Sequence, residues 1–333
     1  VNPDMITMAG GPAGDVTLLA DNWHVPRIHV GDWFDTIITW LTDNVGPLFD
    51  FISTVVSGAV TWLTDVLTYL PPWGMIIIFA VLALWIRGWK AAVVSVIGFG
   101  LIDGMIEFEA TMETLAQVLF AAVISVVIAV PLGIWAARNA TVSRIVRPLM
   151  DFLQTLPVFV YLIPVIFFFS IGTVPGIVAT VAFSLPPGVR LTELGIRQVD
   201  REMVEAGEAF GTSPWGILTG IQLPLALPSI MAGVNQVIML ALSMQVVAGM
   251  VGAPGLGTEV FGAVTRLQLG AGFEAGIAVV ILAIYLDRLS ASFGNRSTFH
   301  RMGAVFRNLR GRRTAADEEK TPADADRTAA AAG

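Results

Sequence analysis

The side chains that carry most protein chemistry are scarce in this sequence. It has no cysteine, so no thiolate nucleophile, Cys-based metal site or disulfide framework can be built. The only lysines are Lys90, followed by Ala91, and Lys320 in an acidic stretch. Neither closes a glycine-rich turn ending in Gly-Lys-Ser/Thr, so the chain lacks the loop that cradles nucleotide phosphates. His24, His29 and His300 fall toward the two ends of the chain and read as surface or loop histidines. There is no HExxH and no GxSxG. Asp103, Glu107, Glu109 and Glu113 cluster without a basic neighbour and read as a solvated acidic turn rather than a catalytic set. No catalytic residue, metal site or resident cofactor is assigned, and nothing points to nucleic acid.

The elements that would position any site are apolar helices. The 333 residues are 55% hydrophobic and 14% charged, with a mean hydropathy of +0.75. Soluble domains carry about a quarter charged residues. Between the charges run apolar stretches of about 15–25 residues, enough to cross a hydrocarbon core of about 30 Å at about 1.5 Å per residue. The sequence therefore predicts an all-α membrane protein of about seven spans, near 73–88, 91–106, 114–136, 152–171, 174–190, 224–250 and 272–291. Residues 1–31 read as an extracytoplasmic loop with no basic, apolar leader. Residues 32–72 read as amphipathic helices lying at the membrane surface. Trp33, Phe34, Ile37, Ile38 and Leu41 share one face, Pro47 breaks the run, and an additional span near 45–67 is the other reading. Residues 293–333 are basic first and then rich in Ala, Asp, Glu and Thr, as in a disordered tail.

Charge placement orients the chain. Arg87 and Lys90, then Arg138, Arg144 and Arg147, then Arg190, Arg197 and Arg201, and every basic residue from Arg288 onward fall on one side. Arg27 and Arg266 fall on the other. The expectation is an extracytoplasmic N-terminus and a cytoplasmic C-terminus. None of the expected span interiors holds the carboxylate or histidine that proton-coupled carriers keep at membrane depth. Energy for transport is then expected from a partner.

Between the fifth and sixth expected spans lies a long cytoplasmic loop, 191–223. Asp200 can cap a helix through Glu202, Met203, Glu205 and Ala206, with acidic residues in the first turn. Gly211 can end it in a left-handed conformation, and Ser213-Pro214 supplies a cap and first-turn proline for a second short helix. Pro224 and Pro228 open the next span, where a missing amide donor costs little. Such a hairpin is a rigid lever. In the fourth and sixth spans, proline and glycine interruptions can bring backbone polar groups near a cavity. Asn235, Ser243 and Gln245 are therefore pathway candidates, interhelical hydrogen bonding being their other reading. Gly249, Gly252, Gly255 and Gly257 around Pro254 read either as a flexible outer gate or as a tight turn.

Glu205-Ala206-Gly207, then Gly211, then Ile221-Gln222-Leu223-Pro224 resemble the EAA signature of ABC importer permeases, with Gly207 replacing the second alanine. From about residue 30 to 295 the chain is similar to the ProU-type glycine betaine/proline permease family. The likeness shows in Gln154-Thr155-Leu156-Pro157-Val158-Phe159-Val160-Tyr161-Leu162 and in Gly195-Ile196-Arg197-Gln198-Val199. It implies type I ABC importer permease architecture in a prokaryotic plasma membrane and a homodimer bound to two cytoplasmic ATPases that hold ATP and Mg. An extracytoplasmic binding protein would deliver the solute. On this likeness Glu205, Ala206, Gly207, Gly211, Ile221, Leu223 and Pro224 would engage the ATPase. Choline, carnitine or an amino acid as solute, and a channel or sodium-coupled carrier without an ATPase, are the other readings.

Overall fold

The computed structural model describes residues 30–293. The expected N-terminal loop up to residue 29, with His24, Arg27 and His29, lies outside the described residues, as does the tail from 294 with His300. The described residues are helical almost throughout and contain no strand. The chain divides after Gly46 into two units. The described part of the first is the start of helix α1 (Val30–Thr68), where Trp33, Phe34, Ile37 and Trp40 are all exposed.

Helix α1 passes through Pro47 without a break, so the two surface helices expected over 32–72 are one helix of 39 residues. A proline interrupts a helix by removing one amide donor and crowding the carbonyl four residues back. Long apolar helices absorb that loss by local adjustment. The 31–68 stretch is long and apolar enough to cross a membrane.

The second unit continues with α2 (Pro72–Arg87), α3 (Trp89–Gly104), α4 (Phe108–Arg138), α5 (Ala140–Thr155), α6 (Val158–Phe169) and α7 (Thr173–Arg197). Then come α8 (Arg201–Ala209), α9 (Pro214–Ile217), a π-helical turn (Leu218–Gln222), α10 (Leu223–Ser243), α11 (Gln245–Met250), α12 (Leu256–Thr265) and α13 (Leu269–Phe293). By length and apolarity five stretches can cross a membrane: 31–68, α4, α7, the continuous run Pro214–Met250, and Leu269–Ser292. A sixth results if α5 and α6, bent by 95°, are one span. The count thus differs from about seven. At 16 residues each, α2 and α3 reach only about 24 Å at about 1.5 Å per residue.

Two boundaries also differ. The expected span 152–171 is broken at Leu156-Pro157, because the residue before a proline is pushed out of the helical region and α5 carries Arg144, Arg147 and Asp151 on a polar face. The fifth span does not end at 190. Helix α7 runs on to Arg197, because Thr192, Glu193, Gly195 and Ile196 are all buried.

Helices α4 and α10 pack most extensively on α7. Small residues let the backbones approach, as transmembrane helices require: a Cβ on Gly133 would come within 2.6 Å of Thr192 Cβ, and one on Gly188 within 2.8 Å of Ala129 Cβ. A second core joins α2, α3 and α13 around Phe79, Phe99 and Tyr285. The Phe79 and Phe99 rings stack at 4.7 Å, and Tyr285 meets both edge-on. The Tyr285 hydroxyl donates to Phe79 O at 3.2 Å, so its own donor is paired within an apolar interior. Trp85, Trp89 and Trp135 are exposed, as side chains at a membrane–water interface are.

Candidate functional site

The helical hairpin between α7 and α10 is assembled from the caps expected of it. Asp200 accepts from Glu202 N at 3.1 Å and opens α8. Gly211, at φ +74, closes it, with Gly211 N donating to Glu208 O at 2.9 Å and Thr212 N to Gly207 O at 3.0 Å. A residue with a Cβ would be strained at that φ. Ser213 Oγ then accepts from Gly216 N at 3.2 Å and Pro214 takes the first position of α9, where no amide donor is needed. Helix α9 runs through the π-helical turn straight into α10, so a push on the hairpin is delivered to the end of a long apolar helix.

Within the hairpin Gly207 is buried against the second arm. A Cβ there would lie 2.8 Å from Ile221 Cδ1 and 3.4 Å from Ile217 Cγ1. Both neighbours are tips or mid-chain atoms of flexible isoleucines, so alanine fits with a small rotamer shift while a branched side chain must part the arms. We expect Gly207→Ala to leave uptake within about twofold and Gly207→Val to lower it about tenfold or more, a difference of over 1 kcal/mol in packing. Transport assays on matched membrane levels of the two variants check this.

The outer surface of the hairpin is polar and aromatic. Glu205 and Arg201 pair at 2.8 Å with both side chains well exposed, and Ala206 is exposed beside them. Phe210 is 90% and Trp215 67% exposed, which marks the hairpin tip as unpartnered in the single chain. Leu223 and Ile221 are half-buried at the junction with α10, and Pro224 is exposed.

Immediately behind the hairpin sits a charged cluster that the sequence reading missed. Glu193, on the last turns of α7, has a side chain only 4% exposed. Its Oε1 accepts from Ser143 Oγ at 2.7 Å and Arg147 Nη2 at 2.9 Å, both on α5, and faces Arg197 Nε at 2.9 Å. Arg197 Nη2 in turn donates to Ala136 O at 2.9 Å, near the end of α4. A second pair, Arg190 with Asp151, joins the same two helices. Four residues after Glu193, α7 ends at Arg197, and three further on Asp200 caps the hairpin. The carboxylate therefore ties α4, α5 and α7 together at the hairpin's root. The signal in the sequence was the Glu193–Arg197 spacing of four residues, which places the two side chains on one helical face; ending the helix at 190 hid it.

Known proteins show the family to which this chain belongs. The family described as "Binding-protein-dependent transport system inner membrane component" matches residues 129–297, which takes in α5 to α13 whole. The glycine betaine transport system permease protein OpuAB of Bacillus subtilis is 50% identical over 266 residues, 80% of this chain and 94% of that protein.

The chain belongs to this family.

The permease is also 46% identical to the glycine betaine/carnitine transport permease protein GbuB of Listeria monocytogenes, over 82% of this chain and 98% of that one. ProW of Escherichia coli, a glycine betaine/proline betaine transport system permease protein, is 41% identical over 88% and 83%. An inward-facing structure of the MetNI methionine ABC transporter covers 58% of the permease and 95% of its own chain, with a TM-score of 0.52 at 22% identity. That likeness concerns the fold, which is the architecture of a type I ABC importer permease.

The three pathway candidates of the permease do not converge on one point. Asn235, half-buried on α10, donates to Asp287 Oδ1 at 3.1 Å and accepts from Ser290, tying α10 to α13. Ser243 is exposed at the end of α10 and donates to Met239 O at 2.9 Å. Gln245 is buried on α11 and donates to Ala241 O at 3.2 Å. The glycine-rich stretch after them is tightly held: Gln117 Nε2 donates to Pro254 O at 2.6 Å, Leu256 N to Thr114 Oγ1 at 2.8 Å, and Gly172 N to Val251 O at 2.9 Å. Of the two readings of 249–257, the tight turn is the one whose bonds are present. At the end of the fold away from the hairpin, the Glu107 carboxyl is pushed above the ordinary range by burial and then by Glu259 and Glu274. Among the described residues no group of acidic side chains and histidines could hold a metal ion.

Proposed function

We propose that this permease forms the translocation pathway of an ATP-driven importer for glycine betaine and related compatible solutes. The observation that carries the reading is the 50% identity with OpuAB across 94% of that protein's length. Two copies would enclose the pathway and two cytoplasmic ATPases holding ATP and Mg would drive it. An extracytoplasmic binding protein would deliver the zwitterion. The N-terminus then lies outside and the C-terminus inside, which puts the hairpin, Arg147, Arg190 and Arg197 at the cytoplasmic face, as the positive-inside rule requires.

In this reading the exposed Phe210 and Trp215 and the Glu205 carboxylate meet the ATPase. Closure of the ATPases on ATP presses on the hairpin. The continuous helix from Pro214 conveys the push to α10, and the Glu193 cluster conveys it to α4 and α5. Asn235 and Ser243 lie along α10, the helix that moves, and Gln245 opens α11 just beyond its end; the alternating opening of the pathway follows from that movement.

Reconstitution in liposomes with the ATPase and binding protein should give ATP-dependent accumulation of radiolabelled glycine betaine. The permease alone should accumulate nothing. Uphill uptake by this chain by itself overturns the proposal. The likeness to GbuB favours carnitine as a second solute, and unlabelled carnitine should then compete with glycine betaine uptake. Because the Arg201–Glu205 pair is exposed, Glu205→Ala should change stability by no more than about 1 kcal/mol. Its uptake should nevertheless fall about tenfold through weakened ATPase docking, as truncation at an interface centre does. Normal uptake and normal co-purification of the ATPase with that variant would remove Glu205 from the contact.

A further inference from the structure

A groove of about 250 Å³ opens between α2, α3 and α13, outside the region that couples to the ATPase. It extends along α3 from Ala91 to Leu101, which is about 15 Å of helix. One end is flanked by two guanidiniums, Arg87 and Arg288. Arg87 donates to Ser292 Oγ at 2.6 Å, which leaves most of its five N–H groups uncommitted. Among the described residues neither arginine is paired with a carboxylate. Farther in, Ser95 lines the groove and is 4% exposed, and its hydroxyl has no hydrogen-bond partner among the described residues. Other helical hydroxyls here donate to the carbonyl four residues back, as Thr180 does to Gly176 O at 2.7 Å and Ser243 to Met239 O at 2.9 Å. Beyond Ser95 the wall is apolar, through Ile97, Leu101 and Ile281. Tyr285 also lines it, but its hydroxyl is already committed to Phe79 O.

The order along the groove is cationic donors, then one buried hydroxyl donor, then hydrocarbon. A glycerophospholipid presents the complementary order: phosphate, ester carbonyl, acyl chain. Orphaned buried hydroxyls are rare because each forfeits a hydrogen bond, and paired cationic side chains at the end of apolar helices are the usual seat of an anionic headgroup. From this match we infer that the groove is a binding site for one anionic phospholipid, its phosphate on Arg87 and Arg288, an ester carbonyl accepting from Ser95, and an acyl chain lying along α3 and α13. The assignment is independent of which solute the permease carries.

Native mass spectrometry of the purified full-length protein tests the site, with phosphatidylglycerol and phosphatidylcholine of identical acyl chains as probes. One phosphatidylglycerol per chain is expected to survive detergent removal, held about tenfold better than phosphatidylcholine, since only the former adds net charge to the arginines. Arg87→Gln with Arg288→Gln should erase that preference, and lysines at both positions should restore most of it, which separates lost charge from lost folding. Ser95→Ala should weaken both lipids about fivefold, because the ester carbonyl is common to them. Ala91→Trp, which fills the groove, should remove both, whereas Val123→Trp on the exposed face of α4 should remove neither. Equal retention of the two headgroups, undiminished preference in the double glutamine variant, displacement of the lipid by inorganic phosphate alone, or occupation of the groove by a second copy of the chain overturns the inference.

Discussion

Replacing Arg147 and Arg197 together by methionine is expected to destabilise the permease strongly, because a buried carboxylate then loses both of its charged partners. The asymmetry of exposure sets the sign. Glu193 is 4% exposed, whereas Arg147 and Arg197 are 58% and 39% exposed. Removing the guanidiniums strands a carboxylate that water cannot reach, with only Ser143 left to solvate it. Removing the carboxylate instead leaves two arginines that can turn to solvent, so Glu193→Gln alone should cost only about 1–2 kcal/mol. Adding Glu193→Gln to the double methionine variant should therefore recover most of the loss, since a neutral amide tolerates burial beside a serine hydroxyl. Thermal unfolding of the purified variants measures all three. A triple variant no more stable than the double would show that the stranded charge is not the cause. The same cluster should matter to transport, because it is the only side-chain link between α5 and α7 whose carboxylate is buried among the described ion pairs. Reconstituted with the proposed ATPase and binding protein, the Glu193→Gln variant, though folded, should still support ATP hydrolysis while uptake falls.

The second large effect is expected at Gly257→Ala. Where α11 and α12 cross, a Cβ on Gly257 would lie 2.5 Å from the carbonyl carbon of Gln245 and nearer still to its oxygen. A Cβ on the facing Gly249 would lie 2.5 Å from Thr258 N. Both obstacles are backbone, so no rotamer change relieves them, and the two helices would have to separate. Overpacking of ordinary side chains costs about 1–3 kcal/mol; a main-chain collision exceeds that, and little folded protein is expected. At Gly262, on the same helix, an added methyl would meet nothing within 4 Å. Gly262→Ala should instead stabilise by about 0.5–1 kcal/mol through helix propensity and a less flexible unfolded chain. Comparable melting temperatures for the two alanine variants would refute the crossing as a tight contact.

The membrane class, the family and the hairpin were legible in the sequence because each rests on local rules. Apolar length decides whether a helix can span, and the scarcity of charge does so without reference to neighbours. The caps of the hairpin, Asp200, Gly211, Ser213 and Pro214, act on backbone groups within a few residues of themselves, so their spacing predicts their bonds. The substitution of Gly207 for alanine was equally visible, although only the structure shows Ile217 and Ile221 lying against it.

What tertiary structure alone decided was where helices end and which polar groups meet. Helix α7 continues past Arg190 because α4, α5 and α10 bury its last turns, and burial by neighbours is invisible in a hydropathy run. The carboxylate at Glu193 looked like part of a cytoplasmic loop for that reason, and its partners lie 46 residues away on α5 and four residues on along α7. Asn235 likewise meets Asp287 and Ser290 only because α10 packs on α13. Pro47 was read as a break on local grounds, yet the helix carries through it. Local chemistry therefore determined what this chain is and where its hairpin lies, while long-range packing determined how the hairpin is connected to the rest of the molecule. The physical reason is that caps and apolar length act within a turn or two of chain, whereas a buried charge depends on partners brought in from other helices.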